Sequence, residues 1–231
     1  MQPKPRFLKI LEVVTIILFL VAVFMVFFYA EMEAVMGQVQ RVFYFHVATA
    51  WVGMLGFLVA AVAGVLYLLK HDRKYDIAGY AAIEISLVFF FIAIVSGSIW
   101  ARPSWGTWWT WEPRLTTAAI VELVYAAYLL LRQGIEDPDR RARFGAVYAI
   151  LGFISVPLTF ISIRLFRTIH PVVLGSGGGA EGDFEMTARM FQTFMFSLFT
   201  FSLLFVTLLW HRIRLGALAD KVESLRMKLT Q

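Results

Sequence analysis

Six stretches of almost unbroken apolar residues, separated by short polar segments, set the pattern of this 231-residue chain. They run from Ile10 to Ala30, Phe45 to Leu69, Gly79 to Trp100, Leu115 to Leu131, Phe144 to Ile163 and Ala188 to Trp210. Each is close to the roughly 17–25 residues that a helix needs to cross a hydrocarbon core about 30 Å thick. Length and lack of charge, rather than a helical period, carry the assignment. The pattern predicts an all-α polytopic membrane protein with six transmembrane helices. The first stretch follows Lys4, Arg6 and Lys9 as a signal peptide would, yet it exceeds the usual apolar core of about 7–15 residues and reads as a retained anchor. Pro157 removes a backbone donor inside the fifth span and predicts a kink there.

The polar segments give orientation, because Lys and Arg near helix ends favour the cytoplasmic side. Fifteen of the 21 basic residues lie in the N-terminal tail, around 70–76, around 132–143 and beyond His211, against six in the other segments. Both termini are therefore expected in the cytoplasm, with the loops 101–114 and 164–187 facing outward. From Gly216 onward Leu218, Val222, Leu225 and Leu229 recur at helical spacing, so the tail 211–231 reads as an amphipathic helix that extends the last span or packs on a partner.

Composition narrows the function classes. Hydrophobic residues make up 60% of the chain and charged residues 16%, and the mean hydropathy is +0.73, far from an ordinary globular domain. The net charge of +5 is dispersed over helix ends and no basic stripe or nucleic-acid-binding module is visible, so membrane lipid and no nucleic acid are expected as partners. Without cysteine there is no thiol chemistry, no disulfide and no cysteine-bound metal. The cluster Gly175-Ser176-Gly177-Gly178-Gly179 lacks the Lys-Ser/Thr ending of a phosphate-binding loop and reads as a turn, so no ATPase motif is present.

Four of the seven tryptophans fall within seven residues, in Trp105-Gly106-Thr107-Trp108-Trp109-Thr110-Trp111, with Trp100 just before. Pro103 and Pro113 bracket the segment, which is either an interfacial helix or extended. Of the four histidines, His46 begins the second span on the outward side and His170 follows the fifth, while His71 and His211 lie at inward helix ends. Two neutral imidazoles and a flat aromatic shelf are what a haem requires. Its propionates suit the fork of an arginine, and Arg41, Arg102, Arg114, Arg164 and Arg167 share the outward face. The blander reading is that the tryptophans form an interfacial belt and the histidines are solvated. Glu112 and Arg114 straddle Pro113 and can pair with each other, with propionates or with a partner; Glu84 and Glu122 are intramembrane carboxylates with a functional or a helix-pairing role.

The run Trp105 to Thr116, WGTWWTWEPRLT, resembles the tryptophan-rich WWD signature of the haem-handling membrane proteins of cytochrome c maturation. Within that superfamily a six-span chain of this length is similar to the haem exporter C family, CcmC, over nearly its whole extent. Arg41 to Val47 and Thr168 to Pro171 are similar to the family's two outward histidine segments. The resemblance implies non-covalent haem b with His46 and His170 as axial ligands of the iron. Trp100, Trp105, Trp108, Trp109, Trp111, Glu112, Arg114, Arg41, Arg102 and Arg167 then surround it. It further implies presentation of that haem to the chaperone CcmE, assembly with the ABC-transporter subunits CcmA and CcmB and the small protein CcmD, and a bacterial or archaeal cytoplasmic membrane. One position departs from the signature: its aspartate is Glu112, followed by Pro113, as in the larger relatives.

Two rival readings remain at this level. A cytochrome b-like electron carrier would hold one haem at His46/His170 and a second at His71/His211. A small-solute transporter would use the aromatics only as anchors. No side chain stands out as a general acid near the shelf, so positioning rather than acid–base chemistry is expected.

Overall fold

A computed structural model describes residues 3–33, 36–166, 169–171 and 186–229. Among them the chain is helical: α1 Arg6–Phe24, continued by a π-helical turn Met25–Tyr29, α2 Gln40–Lys70, α3 Arg73–Trp105, α4 Pro113–Gln133, α5 Pro138–Phe153, α6 Ser155–Leu165 and α7 Ala188–Leu229. Six segments are long and apolar enough to cross a membrane, α5 and α6 together forming one of them over Pro138–Ser162.

Local chemistry sets the boundaries. Asp72 and Asp137 cap α3 and α5 by accepting from the amides of Lys74 and Arg140, and Pro138 opens α5 where its missing N–H costs nothing. His71, in the left-handed region at φ 53°, ends α2. The fifth span breaks at Ile154, one turn before Pro157, because proline cannot donate to the carbonyl of Phe153. One boundary differs from the sequence expectation: the third helix runs on to Trp105 with Pro103 inside its last turn. The C-terminal tail extends the last span as the uninterrupted continuation of α7, one of the two readings its spacing offered.

The α2/α3 pair forms the centre, with α7 and then α1 on one flank and α5, α4 and α6 on the other. Phe57 of α2 and Tyr125 of α4 stack with ring centroids 3.7 Å apart, inside a core that includes Val52, Ile83, Val121 and Phe205. Outward-facing Ile, Leu, Val and Phe on α1 and α4 remain exposed, as lipid-facing surfaces do. Where α1 meets α7, the buried hydroxyls of Thr15 and Thr207 share a hydrogen bond of 2.9 Å, a polar contact of the kind that joins helices in lipid.

Toward the end of the bundle that carries residues 70–76, the carboxylate of Asp76 accepts from Arg132 at 2.5 and 2.9 Å and from Arg73 at 2.7 Å. Arg132 also donates to the Tyr128 hydroxyl at 3.2 Å and lies over the Tyr80 ring. Arg73 continues to Asp220, and Arg212 reaches Glu84 at 2.5 Å, so charged contacts bind α4, α3 and α7 together.

Candidate functional site

At the opposite end, a pocket opens among the start of α2, the end of α3, the start of α4, α6 and the residues after it. Counting the part open to the outside it holds about 700 Å³. His46, Ala50 and Met54 line it from successive turns of α2, Phe90, Ile94 and Trp100 from α3, Leu115 and Ala118 from α4. Its walls are therefore apolar, with two imidazoles and one guanidinium, that of Arg114, among them.

The two histidines meet here. Their ring centroids are 6.4 Å apart with planes inclined at 39°. A metal about 2 Å from one nitrogen of each ring, with both nitrogens in line with it, would separate the centroids by roughly 6.3 Å, so the separation leaves room for one metal between them. His46 Nδ1 donates to the carbonyl of Ala93 at 2.9 Å, and His170 Nδ1 to that of Pro171 at 3.1 Å. A carbonyl only accepts, which places the lone pair of each ring on Nε2, the arrangement in which imidazoles bind metals. Burial, the nearby charge of Arg114 and the neighbouring His46 hold His170 well below the ordinary histidine range, so it is neutral at neutral pH. Gly97 makes room for His46: a Cβ at that position would lie 2.8 Å from the ring's Cε1.

The tryptophans divide by position. Trp105 packs edge-on against Trp100, centroids 5.2 Å apart, and against His170 at 6.2 Å. Gly106, at φ 74°, turns the chain sharply after it, and Trp109 returns to the pocket wall. The indole N–H groups of Trp100 and Trp109 are buried without an acceptor among the described residues. Two orphaned donors line the same pocket as an arginine, a set whose chemistry suits acidic oxygens. Trp108 and Trp111 are 58% and 77% exposed and lie outside the lining, Trp111 touching Trp109 edge-on.

The remaining expected residues have other partners. Glu112 is the N-cap of α4, accepting from the amide of Leu115 at 3.0 Å, with Pro113 at the first helical position. Arg41 donates to the Phe27 carbonyl in the π-helical turn, Arg102 to that of Gly106, and Arg164 is exposed. Arg167 and the glycine cluster lie outside the described residues. At the other end, His211 Nε2 is 2.5 Å from Glu12 and His71 lies against Tyr67, so these histidines engage separate neighbours. Sequence reasoning missed the deep wall of Met54, Phe90, Ile94 and Leu115; the four-residue step from His46 through Ala50 to Met54 was the available signal.

Because Glu112 caps α4, Glu112→Ala should lower stability by about 0.5–2 kcal/mol while Glu112→Asp, an equally good cap, should not. Thermal unfolding in detergent distinguishes them; equal melting of all three proteins would remove the capping role.

Fold and pocket together define a polytopic helical membrane protein with a paired-histidine, tryptophan-walled pocket at one end of the bundle. The family model described as heme exporter protein C matches residues 1–228, and the chain belongs to that family. It is 33% identical to heme exporter protein C of Bradyrhizobium diazoefficiens over 193 residues, covering 83% of this chain and 72% of the relative. It is 29% identical to heme exporter protein C of Rhodobacter capsulatus over 229 residues, 99% of this chain and 93% of the relative. The Escherichia coli protein of the same name is 31% identical over 144 residues, 62% of this chain and 59% of the relative.

Proposed function

We propose that the chain takes up haem b non-covalently in this pocket, at the outer face of a bacterial or archaeal cytoplasmic membrane, and passes it to the periplasmic chaperone CcmE for c-type cytochrome biogenesis. CcmA, CcmB and CcmD are its further partners. Family membership and the names of the relatives support a role in haem export. One observation supports the site assignment: two imidazoles whose rings stand 6.4 Å apart in an apolar pocket.

Haem arrives as cargo with an iron open to two axial ligands and two propionate carboxylates. His46 and His170, each fixed by its backbone carbonyl, would hold the iron. Trp100, Trp109 and Arg114 offer N–H donors to the propionates, and Met54, Phe90, Ile94 and Leu115 exclude water from the macrocycle. Arg41 and Arg102 are cations of the same end, and Glu112 acts by setting the start of α4 and hence Arg114. Trp108 and Trp111, exposed beside the pocket, present the surface an acceptor meets. The work of the protein is binding, orientation and release.

A Trp105→Ala/Trp109→Ala variant tests the transfer step. It should reach the membrane normally, yet deliver haem to the chaperone roughly 10-fold less well, as loss of groups supporting a metal ligand does. Unchanged delivery would reduce the tryptophans to an interfacial belt.

A further inference from the structure

The last stretch of α7 carries an apolar stripe that no described part of the chain covers. Leu215, Leu218, Val222, Leu225 and Leu229 recur at alternating steps of three and four residues, the heptad spacing of a two-helix seam. They range from 38% exposed at Leu218 to 87% at Leu229. The residues that tie this part of α7 to α3 lie on another side. Arg212 pairs with Glu84 and Asp220 with Arg73, and Gly216 lies so close to Ile77 that a Cβ would come within 2.7 Å of its Cγ2. At roughly 100° per residue, the stripe points away from that contact.

The stripe also continues an interface already made. Higher on the same side of α7, Thr207 bonds Thr15 and His211 pairs with Glu12, both on α1. The α1 helix begins at Arg6, so its cover ends where the stripe begins.

Charge selects what takes its place. In the heptad register the positions flanking the seam are Arg214, Lys221 and Lys228 on one side and Ala219 and Arg226 on the other. Every charged residue beside the seam is basic. A parallel second copy of α7 would set Lys221 against Arg226, and an antiparallel one lysine against lysine, so self-pairing is opposed. A lipid surface is opposed by geometry. The helix is 42 residues long without a break, about 63 Å and twice a hydrocarbon core, and its contacts with α3 hold it in line.

We propose that residues 215–229 are the docking surface for a partner polypeptide helix whose own apolar heptad seam is flanked by Glu or Asp, the two forming a short coiled coil.

The chain has no cysteine, so single thiols are clean probes. The full chain with Ser224→Cys, labelled with a fluorophore in neutral-lipid nanodiscs, is titrated with two designed helical peptides. Both carry leucine at the seam; one has glutamate and the other lysine at the flanking positions. The glutamate peptide should bind roughly tenfold more tightly, and Lys221→Glu/Arg226→Glu/Lys228→Glu should reverse the preference. Leu218→Asp/Leu225→Asp should abolish both, with circular dichroism verifying that the helix persists. Equal affinity for the two peptides would overturn the proposal. So would a rapid symmetric disulfide in a Val222→Cys variant, which would make the occupant a second copy. Movement of the Ser224→Cys label into an acyl-chain environment on adding anionic lipid would make it the membrane.

Discussion

Replacing either His46 or His170 with alanine is expected to abolish the bis-histidine absorption spectrum of the haem-loaded protein. Retention should fall by more than the roughly 10–100-fold that loss of a ligand's outer partner costs, because a bond to iron itself is removed. The 6.4 Å ring separation makes the two positions interdependent: neither ring can reach across to replace the other. Each variant should keep its fold, since both imidazoles line the pocket and stand outside the apolar core clusters. Added imidazole should enter the space vacated in either variant and restore the six-coordinate spectrum, a result that a merely structural role for the histidines would not give. Both variants are checked by visible spectroscopy and haem retention on a column; wild-type spectra in both would refute the ligand assignment.

The second large effect concerns stability at the far end of the bundle. Asp76→Asn removes the negative partner of Arg132 and leaves a buried guanidinium uncompensated, which costs about 3–5 kcal/mol. The paired change Asp76→Asn/Arg132→Met removes both charges and should recover most of that loss, because the attraction between buried ions largely offsets the cost of taking them out of water. Melting of the single and double variants in detergent measures the difference. A double variant no more stable than Asp76→Asn alone would mean that Arg132 acts through something other than this pair.

The two ends of the molecule were unequally legible. The six spans follow from length and low charge alone, and His46, His170 and the tryptophans could be gathered to one side by counting basic residues. The deep pocket wall could not. Met54, Phe90, Ile94 and Leu115 carry the same apolar side chains as lipid-facing neighbours, and only helix rotation separates the two groups. The arginines look alike in sequence as well. The structure gives Arg114 to the pocket, while Arg41 and Arg102 answer backbone carbonyls left open by the π-helical turn and by the end of α3. Glu112, read as a possible haem or partner contact, serves as a helix cap next to a proline whose place is the first turn. Arg132 was counted only as a marker of membrane side and Asp76 not at all, because their pairing depends on which turns of α3 and α4 come level.

Haem stoichiometry and the absorption spectrum of the purified protein test the proposed function most directly. One haem per chain with a bis-histidine spectrum, unaffected by His71→Ala, is the expected result. A protein that takes up no haem on addition, or one that holds two haems and loses one in His71→Ala, would contradict it.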